Sequence, residues 1–337
     1  MTGSFLRTAR KASSVRSFSC LSSRCAANVN KLGVIGAGQM VCPVPLFACV
    51  YVRLTVRGGC QGLGIALVAA QKAQIPVILV DSSTKAMDKG LAFADKLLAK
   101  DVSKSRTTQE EADKARARLH PSNSIEELSS VDFVIEAVPE IPKLKFDIFA
   151  QLAKVCPKHA ILATNTSSIS ITRIAAATTD NPTDTSASSR VVSTHFMNPV
   201  PVQKGVEIIS GLQTSKETLD TAVEFCRKLG KIASVSADSP GFLANRILMP
   251  YINEAIICLE TGVGDRDSID AIMKNGTNVP MGPLQLADFI GLDTCQSIMK
   301  VLHEETGDSK YRPSVLLGKM VDAGWLGKKS GKGFYDY

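Results

Sequence analysis

The first eighty residues of this 337-residue chain contain no aspartate and no glutamate, and the first acid is Asp81. Over residues 1–29 this leaves Arg7, Arg10, Lys11, Arg16 and Arg24 uncompensated among many serines. That is the composition of a mitochondrial transit peptide, and it points to the mitochondrial matrix. A disordered basic tail is the other reading, but it does not account for the missing acids. The C-terminal Phe334-Tyr335-Asp336-Tyr337 lacks a peroxisomal SKL signal. The five leader charges, with Arg53 and Arg57 in a second acid-free stretch, account for the whole net charge of +7. The rest of the chain is neutral, which excludes a basic body for nucleic acid. Long apolar runs are also lacking. The best candidate, Val41 to Val52, is broken by Pro43 and Pro45 and then meets Arg53, which excludes a membrane span. The nine cysteines form no CxxC and no Cys/His ligand spacing, so neither a metal site nor a disulfide framework is indicated and a reducing compartment fits.

What is present is alternation. From Lys31 onward short apolar runs alternate with helical stretches. Lys31–Ile35, Val77–Val80, Val131–Ala137, Ile161–Ala163 and Val191–Thr194 read as strands. Gly62–Ala73, Ala86–Lys100, Gln109–Leu119 and Lys143–Val155 read as helices, the third opened by Thr107 or Thr108 with Glu110 and Glu111 in its first turn. Apolar strands separated by helices predict a doubly wound parallel sheet of the Rossmann type. After Ser239-Pro240-Gly241 only helices are expected: Phe242–Thr261, Ser268–Lys274, Pro283–Ile290, Asp293–Glu305 and Ser314–Asp322. The chain therefore divides into a leader (1–29), an α/β nucleotide-binding domain (30–237) and an all-α C-terminal domain (238–337). The polar stretch Thr178–Ser189 reads as a surface loop.

The first strand runs into Gly36-Ala37-Gly38-Gln39-Met40, the opening of a dinucleotide fingerprint. Its third glycine is displaced by 21 residues, 41–61, before Gly62 opens an amphipathic helix. Excising them yields a complete GxGxxG and shortens the spacing from Gly36 to Asp81 from 45 to 24 residues. That is near the interval of roughly 20 expected between the glycines and the ribose-binding acid. Glycines allow the tight turn and close backbone approach, and a helix N-terminus favours the pyrophosphate charge. Asp81 would accept hydrogen bonds from the adenosine ribose, favouring NAD over NADP. The segment has the marks of a retained intron. Val41-Cys42 can be encoded as the donor GTATGT, Gln61 as the acceptor CAG, and Leu54-Thr55 can carry the branch sequence CTAAC. A genuine surface insertion is the rival reading, which loop entropy tolerates cheaply.

A second constellation carries chemistry. Thr194-His195-Phe196-Met197-Asn198-Pro199-Val200 follows a strand, and Glu207 stands 12 residues beyond His195. A strand, a Pro-containing turn and a second strand can bring the two face to face. Imidazole suits a general base for hydroxyl oxidation, and a carboxylate can orient it. Asn165-Thr166-Ser167-Ser168, also at a strand end, places amide and hydroxyl donors at the edge where open α/β sheets bind ligands. His120, His159 and His303 lie in weaker contexts.

With VIGAGQM, VIEAVPE, ATNTSS, HFMNPVPV, DSPGFLANR, MGPLQLADFIGLDT and GKKSGKGFY, the chain from Lys31 to Tyr337 resembles the short-chain 3-hydroxyacyl-CoA dehydrogenase family of mitochondrial type. The resemblance implies oxidation of a 3-hydroxyacyl-CoA thioester by NAD in fatty acid β-oxidation. It implies His195 as base, Glu207 as its partner, and Ser167 and Asn245 against the substrate oxygen or the histidine. It places Glu140, Lys145, Ser167, Asn198 and Lys329 near NAD, beside Gly36, Gly38, Gly62 and Asp81. It puts coenzyme A over the helix after Asp81, where Lys96 and Lys100 are candidates along with Ser167, and it implies a homodimer through the helical domain. Two other functions compete: a non-catalytic, mis-spliced isoform with a broken NAD site, and a dehydrogenase of a small free hydroxy acid.

Overall fold

The computed structural model describes residues 28–37 and 61–337. The leader up to residue 27, Gly38, and the 41–61 segment apart from Gln61 lie outside the described residues. Eight described strands form one sheet: β1 (Leu32–Ile35), β2 (Val77–Val80), β3 (Leu119–Ser122), β4 (Phe133–Glu136), β5 (Ile161–Thr164), β6 (Val191–Phe196), β7 (Gly205–Ser210) and β8 (Ile232–Ala237). Their order is β3-β2-β1-β4-β5-β6-β7-β8. The order reverses between β1 and β4, which opens a crevice at the carboxyl ends of those strands. All neighbours pair in parallel except β6 and β7. Only eight residues, 197–204, join those two, too few for the crossover that a parallel pair needs.

The central strands are apolar throughout because both faces are covered. Leu32, Val34, Val77, Leu79, Phe133 and Ile135 turn to one core, while Ile35, Ile78, Val80 and Val134 turn to the other. The first core is closed by α1 (Gln61–Val68), α2 (Thr84–Ser103), α3 (Gln109–Ala117) and α6 (Lys216–Lys228); the second by α4 (Pro142–Val155) and α5 (Ile171–Ala176). Helix starts follow their caps. Ser83 accepts from Ala86 N, and Thr108, not Thr107, accepts from Glu111 N. The helix expected to run to Leu119 ends at Ala117, and Leu119 opens β3 instead. Pro121 lacks an N–H and is tolerated there because β3 is an edge strand. The sequence pattern predicts no element at α5, α6 or β8, which the structure adds.

Past residue 243 come α7 (Ala244–Glu260), α8 (Arg266–Gly276), α9 (Pro283–Ile290), α10 (Leu292–Thr306) and α11 (Val315–Asp322). They enclose a separate core of Met249, Ile252, Leu284, Leu292, Met299, Leu302 and Tyr311. The C-terminal segment returns to α9. Asp288, nearly fully buried, accepts from Phe334 N and Tyr335 N at 2.9 Å each. A Cβ at Gly333 or Gly327 would run into Asp288. Two of the motifs, MGPLQLADFIGLDT and GKKSGKGFY, are thus partly one packing requirement. No helix among the described residues is long and apolar enough to cross a membrane.

Candidate active site

The site forms at the carboxyl ends of β1, β4, β5 and β6. Gly36 has φ of +103°, a conformation that only glycine adopts readily, and a Cβ there would lie 2.8 Å from Ala137 O at the end of β4. A Cβ at Gly62 would collide with Gly36 O. The start of α1 therefore rests on the end of β1, the close helix–strand packing assigned to the third glycine of the fingerprint. Asp81, buried at the end of β2, accepts from Ala37 N at 3.0 Å and Ser83 N at 2.9 Å. This joint, bare of side chains and flanked by an acid, fits a dinucleotide. Gly38 falls outside the described residues.

His195 and Glu207 are register partners across the β6–β7 hairpin. His195 Nδ1 donates to Glu207 Oε2 at 2.8 Å, so Nε2 is the nitrogen left to meet a substrate. Glu207 Oε1 accepts from Leu243 N at 2.9 Å and Ala244 N at 2.8 Å, at the start of α7. One carboxylate thus ties His195 to the first turn of the helical domain. Burial pushes the Glu207 carboxyl up, but the hydrogen bonds from His195, Ala244 and Leu243 outweigh it and hold the group below its ordinary value. The turn that delivers those amides has Gly241 at φ +76° and Phe242 at φ +50°. For a phenylalanine this is a strained conformation, held by burial of the ring. The ring lies edge-on to His195, with centroids 6.2 Å apart.

Glu140 gathers the loop after β5. Its Oε1 accepts from Ser167 N at 2.8 Å, Ser168 N at 2.9 Å and Ser168 Oγ at 3.0 Å, and from Thr166 Oγ1. Burial raises its carboxyl, while Lys145 and these donors lower it further, so the net shift is downward. Asn245 Nδ2 approaches Ser167 O at 3.5 Å, bringing the first turn of α7 beside the same loop. Lys145 is fully buried. Its Nζ lies 2.7 Å from Glu136 Oε1, 3.2 Å from Val138 O and 3.4 Å from Glu140 Oε2.

His195 and Glu207 are in contact, as are Ser167, Glu140 and Lys145 in turn, and the first turn of α7 joins the two groups through Ala244 N on Glu207 and Asn245 on Ser167 O. Asn198 is exposed at the start of the turn after β6. Lys329 lies in the helical domain and pairs with Asp293 near the start of α10. Burial pulls its ammonium down, and Asp293 offsets this only in part. Lys96 and Lys100 lie on the exposed face of α2. Sequence reasoning missed Glu136, Phe242 and the amides of Leu243 and Ala244. The motifs VIEAVPE and DSPGFLANR contain all of them, but nothing local says that they meet Lys145 or Glu207.

Residues 54–239 match the family described as 3-hydroxyacyl-CoA dehydrogenase, NAD binding domain, and residues 241–337 match that family's C-terminal domain. The chain belongs to the 3-hydroxyacyl-CoA dehydrogenase family. It is 51% identical over 279 residues to the probable 3-hydroxybutyryl-CoA dehydrogenase of Bacillus subtilis, covering 83% of this chain and 94% of that one. Against the mitochondrial hydroxyacyl-coenzyme A dehydrogenase of Rattus norvegicus it is 39% identical over 289 residues, covering 84% and 90%. The crystal structure of (S)-3-hydroxybutyryl-CoA dehydrogenase from Ralstonia eutropha superposes with a TM-score of 0.81 at 40% identity, covering 92% of this chain and 99% of that one. The family is NAD-binding, in keeping with the glycine joint. Its match begins at residue 54, past β1 and inside the segment that interrupts the fingerprint.

Proposed function

We propose that the chain interconverts short-chain (S)-3-hydroxyacyl-CoA and 3-ketoacyl-CoA, with 3-hydroxybutyryl-CoA as the reference substrate, in fatty acid β-oxidation. The hydrogen-bonded His195–Glu207 pair, in the same sheet whose β1 end forms the glycine joint, carries this reading. Bound NAD+ would supply the acceptor for the hydride on C3 of the substrate. His195 Nε2 takes the proton of the C3 hydroxyl. The charge that develops on the ring is stabilised by Glu207, whose other oxygen stays on the α7 amides. Ser167 and Asn245 border the substrate oxygen. Gly36, Gly38, Gly62 and Asp81 would hold the adenosine and pyrophosphate, with Glu140, Lys145, Ser167, Asn198 and Lys329 toward the nicotinamide. Lys96 and Lys100 are candidates for the coenzyme A phosphates.

The acid-free leader and the mitochondrial rat relative support import into the mitochondrial matrix, and Ile247, Ile272, Phe289 and Val315, exposed on the helical domain, support a homodimer. Residues 41–61 we read as a retained intron inserted into the fingerprint, which sequencing of the transcript across Met40 to Gly62 tests. The test of function is NADH oxidation by the purified protein with three combinations. Acetoacetyl-CoA with NADH should turn over; acetoacetyl-CoA with NADPH, and free acetoacetate with NADH, should be far slower. Equal rates with NADPH would refute the role of Asp81. Faster turnover of free acetoacetate would make the substrate a small hydroxy acid.

A further inference from the structure

Asn165 stands one residue beyond β5, is 7% exposed, and its side chain makes two hydrogen bonds within the protein. The β5–β6 ladder ends at Thr164 and Ser193. Beyond it, His195 and Phe196 are paired only with β7, through Glu207 and Val206. On the β5 side, Phe196 N donates to Asn165 Oδ1 at 2.9 Å. A side chain thus continues the ladder where the backbone has turned away, at the residue directly after the base. A backbone N–H can only donate, so this bond fixes which end of the amide faces β6. The Nδ2 end then faces α1 and donates to Gln61 Oε1 at 2.5 Å. The backbone N of Asn165 donates to Glu136 O at 2.7 Å, anchoring the residue to the end of β4.

We propose that Asn165 is a positioning residue that sets the catalytic strand, through Phe196, against the start of α1, where Gln61, the last residue of the 41–61 segment, takes the other end of its amide in this chain. Both ends of its amide are engaged inside the protein, so it acts on the geometry of His195 and of the α1 N-terminus, not on the substrate. The inference rests on the dehydrogenase reading of the site.

Two substitutions test it in the full chain. Asn165→Ala removes both bonds. A misplaced base strand costs up to about a hundredfold in rate, so kcat for acetoacetyl-CoA reduction should fall by roughly ten- to a hundredfold, with a rise in KM for NADH. Asn165→Asp keeps an acceptor for Phe196 N–H, and the Gln61 amide can turn to donate to the carboxylate. It should recover most of the kcat lost in the alanine variant while KM for NADH stays raised, because a negative charge now faces the phosphate end of α1. Hydrogen exchange of the Phe196 amide reads the contact without turnover. Protection should be lost in Asn165→Ala and kept in Asn165→Asp. An alanine variant that is folded, with Phe196 still protected or with kcat within about twofold of the wild type, overturns the proposal, as does an aspartate variant no faster than the alanine one. Should Asn165→Ala not fold, the aspartate variant and Gln61→Met carry the test. Gln61→Met should raise KM for NADH with Phe196 protected, and an unchanged KM would sever the link to α1. A wild type without turnover would count against the dehydrogenase function alone, and the exchange result then decides the positioning role.

Discussion

Glu207 spends each of its carboxylate oxygens on a different part of the molecule, one on the ring of His195 and one on the amides of Leu243 and Ala244. Glu207→Gln can keep only part of this. An amide can accept from His195 Nδ1 or from the α7 amides, and its NH2 then faces the other set of donors. We therefore expect kcat to fall by about tenfold or more, through weaker stabilisation of the imidazolium, with NADH affinity changed little. Acid dependence follows from the same residue. The folded-state value is depressed, so the stabilisation is present above the unfolded carboxylate value and is lost as pH falls through the folded one. Denaturant unfolding of the wild type and Glu207→Gln should differ most above about pH 4.5 and converge as the pH falls below the ordinary carboxylate range. Curves that stay parallel down to pH 3 would show that Glu207 is not held ionised by its partners.

At the scale of elements, the β1–α1 joint leaves no room for a side chain. Gly62→Ala would drive a methyl group into Gly36 O, so α1 must shift, at about 1–3 kcal/mol of stability for overpacking. NADH affinity should drop by tenfold or more because the helix N-terminus moves with it. Fluorescence titration of NADH checks this, and an unchanged affinity would remove the joint from the cofactor site. Sequence made this joint legible even across its interruption, because Gly36, Gly62 and Asp81 each occupy a strand or helix end. The β6–β7 hairpin was legible too, through the short Pro-containing turn between His195 and Glu207. Less legible was β3, where Leu119 continued the apolar spacing of α3 and only the sheet edge made Pro121 acceptable. Also hidden were the meetings of residues distant in sequence. Asn165 with Phe196, and Lys145 with Glu136, depend on strand order, which local spacing does not encode.

The whole molecule joins the sheet domain to the helical one, and Glu207 sits where they meet. Contact between Glu207 and the first turn of α7 makes the orientation of the helical domain part of the site, since a displacement there withdraws two donors from the carboxylate. Exposed Ile247 and Phe289 are 69% and 57% accessible, so in a homodimer they are candidates for burial against a second copy. Sedimentation equilibrium should show a dimer at micromolar concentration and a shift to monomer for the pair Ile247→Glu and Phe289→Glu; a wild-type monomer would end that reading. The central claim is that His195, oriented by Glu207, moves the proton of the substrate hydroxyl. Its most direct test is steady-state reduction of acetoacetyl-CoA by NADH with His195→Gln beside the wild type. We predict a loss of about 10²–10⁴-fold in kcat, the usual contribution of a general base, with NADH binding retained. A folded His195→Gln enzyme that turns over at the wild-type rate would contradict the account.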